Sequence, residues 1–161
     1  MQAWRIVAQA CDGLGLKVAW SAVKVRLRHV PAMESMAGGS GCIGLARNCW
    51  ADRWIDGGVT VLYGLPPALC VSTLPHEAGH VWCHTNGLRN GTRAEIEGFC
   101  NVVGCLVLKQ LFPDLKPQLC VDAMFASTDP IYGDGFRSEW ALLQKSSWAE
   151  YRDRKHSLWA E

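Results

Sequence analysis

The stretch HEAGHVWCH at residues 76–84 carries three histidines at four-residue intervals, with a glutamate directly after the first. Side chains four apart share a face only on a helix, so the spacing predicts a helix that aims the imidazoles of His76 and His80 at one point. Two neutral imidazoles in that arrangement are a zinc-binding pair, and Glu77, beside the first, is placed to accept a proton from water activated by the ion. The ion lowers the pKa of that water to about 7 and polarises a carbonyl, which makes attack on a peptide bond feasible at neutral pH. Glu77 is then general base, and afterwards proton donor to the leaving amine. The plain alternative is a surface helix with scattered histidines and no metal. Small Ala78 and Gly79 and apolar Val81 and Trp82 favour a helix packed into a core.

A catalytic zinc needs a third protein ligand and an open fourth position. On a straight helix His84 lies about 12 Å along the axis from His76, too far for both to share one ion with His80 between them. Cys83 has the same difficulty, and no glycine follows the second histidine at the spacing of the zinc motifs whose helix breaks there. The remaining candidates are Glu95 and Glu97. Thr92 and Glu95 form a Ser/Thr-x-x-Glu capping box, which occupies Glu95 structurally. Glu97 is next to Gly98 and one turn before Asn101, with Gly104 beyond, and small residues there allow close approach of the first helix. Glu97 is therefore the expected third ligand, and an ordinary salt bridge is its alternative role.

The chain of 161 residues fits one domain. Lys+Arg 16 against Asp+Glu 15 supplies no general electrostatic reason to bind nucleic acid or an anionic membrane. Gln9, Asp12 and Gly13 interrupt the first apolar run, and no stretch has the apolar length to span a bilayer, so a cytoplasmic location is expected. The eight cysteines include no C-x-x-C pair, which points to reduced thiols and mostly small core residues rather than a zinc ribbon or a disulfide scaffold.

Trp4, Val7, Ala8 and Cys11 recur at helical spacing until Gly13 and Gly15. Residues 17–20 and 23–30 read as extended, the second with Val23, Val25 and Leu27 alternating with Lys24, Arg26 and Arg28, a strand with one wet face or a guarded sheet edge. GGSG at 38–41 and DGG at 56–58 break the chain around a short piece centred on Cys42, Ile43 and Leu45. Residues 59–63 read as a strand that feeds the histidine-rich helix, which Pro75 makes begin near Leu74 or kink there. A second helix runs from the capping box to Pro113, a third covers 118–126, DPIYGDG is a loop, and a fourth begins at Phe136. The chain is thus α+β, with 1–145 as one domain and 146–161 as a polar, helix-compatible tail.

VLYGLPPALCVSTLPHEAGHVW, then EIEGFCN, then IYGDGFR resemble the peptidase domain of the DA-one family, the ubiquitin-activated growth-limiting metallopeptidases of plants, and their smaller bacterial relatives. The similarity extends more weakly to GLKV at 15–18, VRL at 25–27 and GCIGL at 41–45, and fades beyond Arg137. It implies a gluzincin-type, zincin-like fold: a small, mostly antiparallel sheet packed on the HExxH helix and on a second, ligand-bearing helix. It also implies His76, His80 and Glu97 as ligands of one catalytic zinc, with Glu77 as base. The Tyr-Gly-x-Gly-Phe-Arg segment is matched by Tyr132, Gly133, Gly135, Phe136 and Arg137, which makes Tyr132 a candidate donor to the oxyanion of the tetrahedral intermediate. A buried tyrosine that supports the loop is the other reading of that position. The ubiquitin-interacting motifs and LIM cysteines of the plant members have no counterpart here, so ubiquitin dependence does not carry over.

The expected function is zinc-dependent hydrolysis of a peptide or protein substrate, held along a strand edge at 59–63 or 42–47. Two alternatives stand beside it: a non-catalytic, zinc-stabilised binding module, and a peptidase latent until a partner or modification activates it. Nucleic acid and membrane are not expected partners.

Overall fold

The apolar face of α1 (Gln2–Gly13) buries Trp4, Val7, Ala8 and Cys11, and Gly15 follows at φ 77° in the left-handed region that glycine adopts freely. In this computed structural model, residues 2–37, 43–47 and 58–160 are described. The chain continues as β1 (Lys24–Arg28), α2 (Val30–Ala37), β2 (Gly44–Arg47), β3 (Gly58–Leu62), α3 (Pro67–Thr85), α4 (Arg93–Leu111), α5 (Pro117–Ala126), α6 (Tyr132–Leu143) and α7 (Trp148–Trp159). An α+β architecture results, in which helices predominate over one small sheet. No helix among the described residues is long and apolar enough to cross a membrane.

The sheet is mixed rather than mostly antiparallel. Its order is β1-β3-β2, with β1 parallel to β3 from Lys24↔Gly58 to Arg28↔Leu62 and β2 antiparallel to β3 from Gly44↔Val61 to Arg47↔Gly58. A parallel pair needs a crossover. Here α2 starts the connection, at Val30, where the sequence pattern continued the strand. β1 is an edge strand, yet its alternation does not separate a wet face from a dry one: Leu27 is 55% exposed while Arg26 is half-buried. Residues 17–20 are also not a strand, since Trp20–Ala22 form a single 3-10 turn. The valines and threonine of β3 are buried on both faces, as befits the central strand. β3 therefore cannot supply a free edge, whereas β2 is an edge strand of the sheet formed by the described residues. Cys42, Cys49 and the GGSG break lie outside the described residues, as do the first two residues of DGG.

The active helix starts well before Leu74. Pro67 occupies its first turn, where a missing amide costs nothing, and the helix continues through Pro75. Pro75 forfeits one internal hydrogen bond, a loss of about 3 kcal/mol in an isolated helix. Burial of Leu74, Ala78, Val81 and Trp82 against α1, α4 and the sheet offsets that loss. α4 begins at Thr92, whose hydroxyl accepts from the Glu95 amide while Glu95 accepts from the Thr92 amide, the predicted capping box.

α6 begins at Tyr132, so the second half of DPIYGDG is helical. The Asp129 carboxylate explains it, accepting from the amides of Ile131 and Tyr132 and so starting the turn. The C-terminal segment is a docked helix: α7 has its own capping box at Ser147 and Glu150, and buries Tyr151, Lys155 and Trp159. Beyond it Ala160 bridges to Leu88, and the Arg89 amide donates to the Trp159 carbonyl. All six described cysteines are free thiols, four of them buried.

Candidate metal centre

The site sits where α3 and α4 pack side by side. Two close approaches set their spacing. A side chain at Gly79 would meet the Cys100 Cα at 3.1 Å, and one at Gly104 would meet the Ser72 carbonyl at 3.3 Å. Gly104 thus has the expected role. Gly98 does not: it faces α6, where a Cβ would collide with the Gly135 backbone, so the small residue beside Glu97 serves the other flank of α4.

Three potential ligand atoms converge at this contact. His76 Nε2 is 3.2 Å from Glu97 Oε2, His80 Nε2 is 3.3 Å from the same oxygen, and the two imidazole nitrogens are 3.2 Å apart. Tetrahedral ligands about 2.0–2.1 Å from one ion are separated by roughly 3.3 Å, so the spacing fits a single zinc-sized ion. The Glu97 oxygen is buried and makes no hydrogen bond, although both nitrogens are within reach. Three ligand atoms crowded to this spacing suit a common third object, and His76, His80 and Glu97 form a group that could hold a metal ion. Burial pushes Glu97 up, but the two imidazoles close beside it outweigh that and hold the carboxyl well below the usual carboxylate range. Burial lowers His76, and contacts with Glu97, Glu77 and Asn101 more than restore it, so its pKa is raised.

Glu77 points from the same helix to the sheet side. It is 4% exposed, and the Ala46 amide of β2 donates to its carboxylate. The other oxygen, Oε2, is buried without a partner. Burial raises its pKa first and most, and the charge of Glu97 adds to that against the pull of both histidines. A carboxylate held at one oxygen and bare at the other, with raised basicity, has the form of a general base. Gly44 makes room for it: a Cβ there would collide with Thr73 and lie 2.5 Å from Glu77 Oε1. The support of Glu77 by β2 is not among the sequence expectations; its available signal is Gly44, the second glycine of GCIGL.

Cys83 and His84 are outside the group. Cys83 is buried in hydrogen-bond contact with the Cys100 thiol, and the His84 ring stacks 6.5 Å from that of His80. Burial and the charges of His80 and Arg89 lower the His84 pKa. Tyr132 opens α6 and is 38% exposed. Packing accounts for the rest of its motif. Gly133 lies against the Ser127 carbonyl, Gly135 against that of Ala94, Phe136 is in the core, and Arg137 donates to the carbonyls of Phe125 and Ser127.

Residues 54–116, which include both site helices, match the family model DA1-like, described as Protein DA1. Over those residues the chain is similar to the DA1-like family. Protein DA1-related 7 of Arabidopsis thaliana is 29% identical over an alignment covering 55% of this chain and 21% of that protein, so the chain spans only about a fifth of the relative it matches. No solved structure matches the chain. The DA1-like match ends before α5, which leaves Tyr132 and its motif outside the matched segment.

Proposed function

We propose that this DA1-like chain is a zinc-dependent peptidase, with His76, His80 and Glu97 as metal ligands and Glu77 as general base. The observation that carries the reading is the convergence of three ligand atoms beside a buried carboxylate with one bare oxygen. When bound, zinc would supply Lewis-acid polarisation of a substrate carbonyl and a lowered pKa for water. Glu77 Oε2 takes the proton from the attacking water while the Ala46 amide holds the carboxylate in place, and the same oxygen returns the proton to the departing amine nitrogen. β2, which holds Glu77 and is an edge of the sheet among the described residues, aligns an extended peptide. Tyr132 is the proposed oxyanion donor. A zincin-like, gluzincin-type assignment of the fold goes with this reading, supported by the strand-then-helix arrangement around HEAGH and by the ligand on the following helix.

A non-catalytic structural zinc would want four protein ligands, and neither Cys83 nor His84 joins the group among the described residues. The six free cysteines among the described residues suit a reducing, cytoplasmic compartment. The test is direct. Zinc at a thousand times its Kd is expected to stabilise the wild-type chain by about 4 kcal/mol, read from thermal or denaturant unfolding with and without chelator. Glu77→Gln is expected to keep that stabilisation and to lose about 100- to 10,000-fold in hydrolysis of a peptide library. Undiminished hydrolysis by Glu77→Gln would remove Glu77 from its role.

A further inference from the structure

We propose that Asn101 is a positioning residue that locks His76 in the one tautomer able to bind the metal. The inference rests on the metal-centre reading above and deepens it. A neutral imidazole carries one ring proton, and only with that proton on Nδ1 does Nε2 offer a lone pair to an ion. Asn101 Oδ1 is 2.8 Å from His76 Nδ1, the distance of a normal hydrogen bond, and an amide oxygen can only accept. The Nδ1–H therefore donates to Asn101, and the lone pair is left at Nε2, the atom 3.2 Å from Glu97.

The neighbourhood favours this role over simple packing. Glu97 and Asn101 are four apart on α4, so consecutive turns of one helix grip His76 at both ring nitrogens. Gly104 completes the same face, and a Cβ there would be only 3.8 Å from the His76 Cβ, so the two helices are already in contact where the grip is made. Asn101 also carries a cost: its Nδ2 is buried with no partner, which in general destabilises the folded state. An apolar side chain of similar volume would avoid that cost. The bond to His76 is what such a side chain could not provide.

The experiment uses the full chain with zinc and cobalt as probes. Asn101→Leu, which removes the acceptor at similar volume, is expected to weaken zinc affinity about 10- to 100-fold in competition with a chromogenic chelator, and to alter the cobalt ligand-field bands. Asn101→Asp, which keeps an acceptor, is expected to retain wild-type affinity and bands. In the metal-free wild type at alkaline pH, imidazole 15N shifts are expected to report the Nδ1–H tautomer at His76, a measurement that holds even where a variant fails to fold. Wild-type affinity in Asn101→Leu, equal losses in Leu and Asp variants, or an Nε2–H tautomer in the wild type would each overturn the proposal. If wild type and His76→Ala bind zinc equally weakly, the metal-centre reading itself fails and takes this one with it; loss confined to Asn101 variants cannot arise that way.

Discussion

Helix α4 has a buried polar cluster on each flank, and the two are built on opposite principles. Towards α6 and α7, Glu139 is 1% exposed and uses both oxygens: Lys155 Nζ donates at 2.7 Å and the Tyr151 hydroxyl at 2.7 Å. Lys155 also lies 4.8 Å from the Trp159 ring. Towards α3, the buried polar atoms Glu97 Oε2, Glu77 Oε2 and Asn101 Nδ2 have no hydrogen-bond partner. Native interiors seldom leave such groups unmet, and each one calls for an explanation. The satisfied cluster ties α7 to the core; the unsatisfied one, with its ligand atoms converging on a point, is where an ion and a substrate would complete the bonding.

The first way to break the comparison is at Glu139. Glu139→Ala strands a buried ammonium and is expected to destabilise the chain by about 3–5 kcal/mol in denaturant unfolding. Replacing the pair together, Glu139→Leu with Lys155→Met, is expected to cost far less, and equal losses would deny that the cluster acts as a unit. On the other flank, Gly44→Ala is expected to cost about 1–3 kcal/mol of stability and to cut peptide hydrolysis by up to about 100-fold, because it displaces the buried Thr73 and the Glu77 carboxylate. A large stability loss with full residual activity would count against β2 as the support of the base. The smallest effect concerns Tyr151. Burial first, then the charge and bond of Glu139, push its phenol far above the ordinary value of 10. The folded state therefore keeps a proton that the unfolded state releases, so stability is intact below about pH 10 and falls as pH rises beyond it. Tyr151→Phe is expected to cost about 1.5–3 kcal/mol at neutral pH and to flatten that alkaline decline.

Local signals were legible in the sequence and distant ones were not. Thr92 and Glu95 announced the start of α4 because a capping box is made within four residues. The start of α6 was misjudged by four residues, because the side chain that initiates it, Asp129, lies before the pattern rather than in it. The sheet was misjudged because the β1 pattern continued into Val30, which hid the helix needed for a parallel return. Gly98 was assigned to the wrong neighbour: α4 is covered on both sides, and a helical pattern cannot say which helix each small residue faces. The polar composition of the segment after residue 145 concealed the docking of its helix, since its fully buried residues are Tyr151, Lys155 and Trp159 and one of them is charged.

By itself the sequence determined that His76, Glu77 and His80 share a helix and that two of them face one point, because side-chain direction on a helix follows from spacing alone. It also narrowed the candidates for a third ligand to Glu97. The tertiary structure decided that Glu97 Oε2 lies 3.2–3.3 Å from both imidazoles, that Asn101 bonds to the far side of His76, and that the backbone of β2 holds Glu77. Those distances depend on how closely α3 approaches α4 and the sheet, at Gly79, Gly104 and Gly44, and separation between elements is a property of packing that periodicity along one chain segment does not contain.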